Sequence, residues 1–228
     1  MEPLIPRHGG YRHLKTFQIA QLIYDITVRF CHLFIDKRSR TRDQMVQAAR
    51  SGVQNIAEAS MASGTSRKTE LKLTNVARAS LEELRLDYED FLRQNSCTLW
   101  PADHPSLKRF KAKRCSTLDE VRAWIHDEQE LAEADAETHT NTDHPKHARP
   151  DTASAPSDPP SGESVPVRDS PCSSVPTPVL VANAALSLLN LCSYLLDRQI
   201  SAQAATFEEE GGFTERLHRV RRNKRDNE

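Results

Sequence analysis

Glycine, aromatic residues and paired cysteines are all scarce in this chain of 228 residues. It has 7 glycines, and so few glycines favour long helices over a fold built from many tight turns. The five cysteines include no CxxC pair, and an odd number does not suit a closed disulfide framework. A Gly-rich phosphate loop and an HExxH motif are also missing. We therefore expect reduced thiols, no cofactor, no metal site and no catalytic residues: a protein that is not an enzyme.

No apolar stretch of the kind found in secretion signals follows the initial methionine, so we expect a cytoplasmic protein. Charge is distributed unevenly. Residues 1–126 carry 21 Lys and Arg against 14 Asp and Glu, whereas residues 127–171 carry 3 against 11. Residues 132–178 hold most of the prolines and no aromatic residue, so they cannot bury enough apolar area to offset chain entropy. This composition predicts a disordered linker over 132–178.

Hydrophobic periodicity predicts an all-α protein. Four helices are expected before the linker, over 14–35, 43–60, 67–94 and 106–131. Because mostly short loops join them, they are expected to form an antiparallel up-and-down four-helix bundle over residues 11–131. A C-terminal region over 179–225 follows the linker. It is predicted to hold one amphipathic helix at 179–206, a stop at Gly211-Gly212 and a short basic tail.

The first predicted helix has two adjacent apolar stripes, which together cover more than half of its circumference. One stripe suffices for the core of a bundle, so the second is predicted to be a subunit interface in a homo-oligomer. The residues of the second stripe are Ile19, Ile23, Ile26, Phe30 and Leu33.

The C-terminal helix is the one segment that resembles a membrane span, because no charged residue lies between Asp169 and Asp197. A polar stripe nevertheless runs along it, made of Asn183, Ser187, Asn190, Tyr194, Asp197 and Ser201. A helix surrounded by lipid would not need this stripe. We therefore favour amphipathic packing within the protein, and expect no membrane association.

Basic residues give the clearest functional hypothesis. In an up-and-down bundle, the turn after the first helix and the start of the fourth lie at the same end. This would join nine cations in one basic pole able to bind a phosphate backbone: Lys37, Arg38, Arg40, Arg42, Lys108, Arg109, Lys111, Lys113 and Arg114. The alternative is an ordinary solvated surface, partly neutralised by nearby acidic residues such as Asp36 and Asp43. No aromatic residues alternate with these cations, so base stacking and sequence readout are not expected.

Three segments resemble a known family. The run DQMVQAARSGVQNIAEAS (43–60) resembles the second helix of the bacterial four-helix-bundle proteins, and TSRKTELKLTNVARASLEELRLDYEDFLR (65–93) resembles their third helix. That family includes proteins encoded within intervening sequences of large-subunit ribosomal RNA genes and the accessory variability determinant of diversity-generating retroelements. The runs VANAALSLLN, YLLDRQI and EEEGGFTERL resemble the C-terminal suffix domain of one subgroup. One departure is Ala59, where the family favours glycine.

The resemblance implies a ring-like pentamer with a basic surface. It also suggests binding partners, because the retroelement member of the family binds nucleic acid and a reverse transcriptase. The resulting expectation is a non-enzymatic oligomeric protein that binds RNA or DNA through the basic pole. Two alternatives stay open. The chain is a scaffold for a protein partner such as a reverse transcriptase, or it is a self-contained oligomer whose acidic segment 127–171 shields the pole. His8 and His13, with Cys31 and His32, are interpreted as surface histidines and a core thiol rather than metal ligands.

Overall fold

The computed structural model describes residues 8–140 and 175–225, and every regular element in these ranges is helical. The all-α prediction is therefore confirmed for the described residues. A 3₁₀ turn at Tyr11–His13 precedes seven α-helices. These are α1 Lys15–Phe34, α2 Arg40–Ala62, α3 Arg67–Gln94, α4 Pro105–Lys113, α5 Leu118–Thr140, α6 Thr177–Glu210 and α7 Phe213–Arg225.

Local sequence signals account for several helix ends. Ser66 caps α3, and its hydroxyl accepts a hydrogen bond from the Thr69 N–H. Pro105 occupies the first position of α4, where its missing N–H costs nothing. Gly211 ends α6 with a φ of 69°, a conformation that glycine adopts without strain. The end of α6 therefore lies at the predicted glycine pair, four residues beyond the predicted last residue.

The core is formed by α1, α2, α3 and α6, each of which contacts two neighbours in the order α1, α2, α3, α6 and back to α1. α6 runs antiparallel to α3, because Arg67 at the start of α3 bonds to the Thr206 carbonyl near the end of α6. Further along, Arg78 of α3 forms an ion pair with Asp197 of α6. The fourth place in the core therefore belongs to α6.

The prediction of a single fourth helix over 106–131 is wrong. The chain forms two helices there, α4 and α5, and the break between them begins at Arg114, which has a left-handed φ of 52°. α4 lies outside the core against α6. Phe110 of α4 packs on Trp124 of α5, with ring centroids 4.8 Å apart. The physical reason is that α6 offers a longer apolar surface than 106–131, and it occupies the place that the shorter segment was expected to fill.

The chain divides into two compact units, and the boundaries of these units differ from the predicted domain boundaries. One unit joins residues up to Ile125 with residues from Pro176 onward, so the segment expected to be a separate suffix domain belongs to the same unit as α1, α2 and α3. The other unit is His126–Val175. Its described part is the remainder of α5, so residues 132–140 of the predicted linker are helical. Residues 141–174 lie outside the described residues.

The predicted oligomer interface is largely core. Ile23, Ile26 and Phe30 are at most 1% exposed within a single chain. Phe30 packs on Tyr88 of α3, with ring centroids 5.0 Å apart. The wide apolar surface of α1 is thus covered by α2, by α6 and, across the core, by α3. Of the remaining predicted interface residues, Ile19 is half-buried and Leu33 is 50% exposed.

One helical stretch of the described residues, Thr177–Arg222, is long and apolar enough to span a membrane, and it covers α6 and most of α7. Inside the protein, 67% of its most apolar window is buried. Residues 179–186 are buried on every side of the helix, including Asn183 from the predicted polar stripe. This all-round burial explains why residues 179–186 carry no charge, since an unpaired charge would be costly there.

Candidate nucleic-acid interface

The first group of predicted phosphate-binding residues follows the C-terminal end of α1. Lys37, Arg38 and Arg40 are exposed and Arg42 is half-buried. Acidic groups surround this turn. The Arg38 N–H donates to the Asp36 carboxylate at 2.7 Å. Arg40 lines a groove between α2 and α3 together with the carboxylates of Asp43, Glu83 and Asp87. The positive potential of the turn is therefore partly cancelled, as in the solvated-surface interpretation.

The second group lies on α4 and on the residue that ends it. All five of its cations are exposed: Lys108, Arg109, Lys111, Lys113 and Arg114. The Lys111 ammonium donates to the Ala102 carbonyl at 2.7 Å, and Arg109 donates to the Ser106 hydroxyl at 3.3 Å. These bonds tie part of the group to its own helix and to the preceding connection.

The structure does not bring the two groups together. Arg114 lines the same groove as Lys15 and Gln18, which belong to the first turn of α1. The turn at Lys37 follows the opposite end of that helix. α1 has 20 residues, so its two ends lie about 30 Å apart. The prediction that these nine cations lie together in one basic pole is therefore wrong, because it depended on 106–131 being the fourth core helix.

A third basic element is the C-terminal helix α7. In the sequence FTERLHRVRRNKR it carries five Arg and one Lys against one Glu. Arg219, Arg221, Arg222 and Arg225 are exposed to water, whereas Arg216 is half-buried. The sequence predicts a short basic tail here, but it does not predict that this tail is helical.

One signal could have revealed α7. Glu215 stands three residues after Gly212, the spacing of a capping box. In the structure the Glu215 carboxylate accepts a hydrogen bond from the Gly212 N–H at 2.9 Å. An acid in the first turn also suits the helix dipole, and the arginines that follow suit its last turns.

The junction between α6 and α7 is tied to the start of α3. Arg67 of α3 donates to the Thr206 carbonyl and forms an ion pair with Glu210, the last residue of α6. From the other side, Arg219 of α7 donates to the Glu210 carbonyl at 3.2 Å. Glu210, the last residue of α6, is therefore bonded both to α3 and to α7.

Cys31 and Cys192, the two buried cysteines of the described residues, are unreactive thiols. Burial raises the pKa of the Cys31 thiol to about 11 and that of the Cys192 thiol to about 12, so both stay protonated at neutral pH. Cys31 lies against the Met45 sulfur at 3.8 Å, in keeping with the core-thiol interpretation. In the second unit, His126, Asp127 and Glu130 lie close together but are fully exposed, an arrangement common on helix surfaces.

Comparisons with known proteins add no family assignment: no protein-family model, curated protein or solved structure matches this chain.

Proposed function

We propose that this protein is a non-enzymatic, cytoplasmic nucleic-acid-binding protein that holds RNA or DNA through the phosphate backbone, with α7 as its principal contact. The observation that carries the proposal is the exposure of four arginines on one helix of 13 residues that has a single acidic residue. Such a helix attracts phosphates over a distance and releases counterions when it binds them.

The chemistry of α7 favours a polyanion over a lipid surface. A helix that inserts into a membrane interface needs a broad, accessible apolar face. The apolar residues of α7 are Phe213, Leu217 and Val220, and the last two are half-buried against the protein. The aromatic Phe213 lies at the beginning of the helix, away from the arginines at its end. Binding should therefore be electrostatic and should show little preference for base sequence.

The groups at 37–42 and 108–114 are proposed as secondary contacts. They lie at separate places on the molecule, so a long nucleic acid would be needed to reach more than one of them. The carboxylates beside the first group weaken its attraction. Glu215 is the one carboxylate on α7, and Glu208 to Glu210 precede its N-terminus, the end opposite Arg221, Arg222 and Arg225. We therefore assign most of the affinity to α7.

The family resemblance also supports a proposal about the fold. We propose that α1, α2, α3 and α6 are an up-and-down four-helix bundle of the bacterial family, in which the suffix region supplies the fourth helix. The homo-oligomer and pentamer implied by the resemblance are proposed too. An interface would have to use surface other than Ile23, Ile26 and Phe30, which are in the core.

A protein scaffold is the second candidate, and one surface feature favours it. Leu99 and Tyr194 are 54% and 57% exposed and line one groove with the half-buried Trp100. Exposed tyrosine and leucine side chains beside a tryptophan are typical of protein interfaces. Light scattering of the wild-type chain and of a chain with Leu99→Ser and Tyr194→Ser tests self-association through this patch. If the wild type is an oligomer and the variant has the same mass, the oligomer must assemble through another surface.

Fluorescence anisotropy tests the main proposal directly. Labelled single-stranded RNA and duplex DNA are titrated at low salt with the full chain and with a chain ending at Gly212. We expect binding of both nucleic acids by the full chain and at least a tenfold loss on removal of α7. No binding by the full chain at low salt, or binding confined to anionic lipid vesicles, would refute the proposal.

A further inference from the structure

A second candidate site lies on the opposite side of α1 from α2, in a groove between α1, α4 and α6. Its volume is about 450 Å³, inside the range of about 300–1,000 Å³ that is usual for small-molecule sites. All three helices belong to the same compact unit. Lys111 and Arg114 beside this groove are also proposed as secondary nucleic-acid contacts, but the groove takes no part in binding by α7, so the inference does not rest on the proposed role of α7.

The wall of the groove is apolar along its length. Ile19 and Leu22 come from α1, Phe110 from α4, and Leu188 and Leu191 from α6. Leu191 is 46% exposed, although its neighbours Leu188 and Leu22 are 8% and 3% exposed. An exposed leucine at the edge of a concave apolar wall gains burial if a chain-like apolar ligand lies against it.

Cations mark the rim of the same groove. Lys15, Lys111 and Arg114 line it, and none of the described residues that line it is acidic. Glu120, which follows the groove residues Cys115 and Ser116 in the chain, accepts hydrogen bonds from the N–H groups of Ser116 and Thr117 through one carboxylate oxygen. Lys15 and Lys111 each donate one hydrogen bond within the protein, and each ammonium has further donors available. Charge complementarity therefore calls for an anionic group at the rim.

Arg114 is the most distinctive of these cations. Its backbone has a φ of 52° and a ψ of 44°, the left-handed conformation in which glycine is the usual residue. An arginine adopts this conformation less readily than glycine, because its Cβ comes close to the following carbonyl oxygen. Its guanidinium has no hydrogen bond or ion pair with any described residue, so the strain is not offset by a contact within the described structure. A side chain kept at a strained position and aimed at a groove fits a role in binding a ligand.

We propose that this groove binds a free long-chain carboxylate, with the hydrocarbon chain against the apolar wall and the carboxylate at Arg114. One apolar wall plus one cationic rim matches an amphiphile with a single anionic end. A polyanion would leave the apolar wall unused, and an uncharged lipid would leave the cations of the rim unused.

Two cysteines of the same chain provide a local readout. Cys115 lines the groove, whereas Cys97 does not, and both are partly exposed. Full-length protein is treated with iodoacetamide in the presence of monomeric dodecanoate, and the alkylation of each cysteine is followed by peptide mass spectrometry. We expect dodecanoate to slow the alkylation of Cys115 at least threefold and to leave that of Cys97 unchanged. Acetate, which has the charge without the chain, should protect neither.

Calorimetric titration measures the contribution of the chain. Binding should tighten by about fourfold for each added methylene between octanoate and dodecanoate, because each buried methylene contributes about 0.8 kcal/mol. Leu191→Glu places a charge in the groove at an exposed position and should abolish binding and protection. Helicity and melting temperature of the variant should match those of the wild type.

The contribution of the charge is tested with matched variants on one helix. Arg114→Gln should weaken dodecanoate binding about tenfold and leave dodecanol binding unchanged. Lys108→Gln removes the same charge from an exposed position outside the groove and should change dodecanoate binding less than twofold. The proposal is overturned if affinity does not depend on chain length, if Cys97 is protected as strongly as Cys115, or if the two charge variants behave alike. Binding of anionic vesicles without binding of monomeric dodecanoate would also overturn it.

Discussion

Replacement of Asn183 by leucine tests the place of α6 in the core. The Asn183 amide accepts a hydrogen bond from the Trp100 N–H at 2.8 Å and donates to the Thr98 carbonyl at 3.1 Å. It also donates to the Val179 carbonyl in its own helix. Asn183 is 1% exposed and is the contact that holds the connection after α3 onto α6. Leucine has a similar volume but neither a donor nor an acceptor.

The cost of this change follows from the two backbone groups that would lose their partner. A buried backbone group left without a hydrogen bond costs about 1–3 kcal/mol. Thr98 is exposed and Trp100 half-buried, so water can partly replace the amide and the low end of the range applies. We expect Asn183→Leu to lower the free energy of unfolding by about 2 kcal/mol. Domains of this size are stable by only about 5–15 kcal/mol, so the change is readily measured.

Urea unfolding followed by tryptophan fluorescence is the assay, since Trp100 itself lies at the perturbed contact. The matched control is Asn190→Leu, the same substitution at an exposed position of the same helix. Its effect should be within about 0.5 kcal/mol of zero. Equal effects of the two substitutions, with unchanged m-values, would refute the assignment of α6 to the core.

Three further predictions concern the core helices. Gly52→Ala should destabilise the protein by about 1–3 kcal/mol in thermal unfolding, because the new Cβ would lie 2.6 Å from the buried side chain of Leu81; a stabilised variant would contradict this packing. Asp87→Asn should stabilise the protein at pH 7, since burial, helped by nearby carboxylates, raises the pKa of Asp87 and makes its ionised form unfavourable in the folded state. This advantage should shrink as the pH falls through the raised pKa toward the ordinary value of 3.8, and a constant difference across denaturation curves at pH 4 and 7 would contradict it. Ile23→Asp and Phe30→Asp should each abolish helical circular dichroism, because a charge would enter the core; a folded, soluble monomer would instead restore the interface interpretation.

The first three helices could be predicted because each has its own repeating apolar pattern. The predicted ranges 14–35, 43–60 and 67–94 lie within a few residues of α1, α2 and α3. The cap at Ser66 and the stop at Gly211 are also local signals, since a hydroxyl or a glycine acts on its own helix end. Features of this kind require no knowledge of what lies elsewhere in the chain.

The identity of the fourth core helix could not be predicted in the same way. Both 106–131 and 179–206 have apolar positions at helical spacing, and periodicity does not say which of them fills a shared place. The choice depends on contacts between residues far apart in sequence, such as Thr98 with Asn183. Because a proline-rich segment separates 179–206 from the first three helices, the sequence favoured 106–131, which directly follows them. The predicted basic pole depended on that choice and is wrong for the same reason.

The predicted oligomer interface on α1 is wrong because the prediction considered the number of apolar stripes on the helix and not the number of helices that pack against it. Two stripes on α1 are more than one helix partner needs, but α1 contacts both α2 and α6, and Phe30 also reaches Tyr88 of α3. α7 was missed for the opposite reason. It has so few apolar residues that periodicity is weak, and its helical signal is the single capping acid Glu215.

The central claim is that α7, rather than the residues of the predicted basic pole, supplies most of the phosphate contacts. It is tested most directly by measuring duplex DNA affinity against salt concentration for the wild type and for two variants that each lose four cations. One variant changes Arg219, Arg221, Arg222 and Arg225 to Gln, and the other changes Arg38, Arg40, Lys111 and Arg114 to Gln. Each lost phosphate contact should reduce the slope of log affinity against log salt by about 0.9. We expect the α7 variant to lose about 3 to 4 from the magnitude of this slope and the other variant to lose less than about 1. The reverse order, or equal losses, would contradict the account.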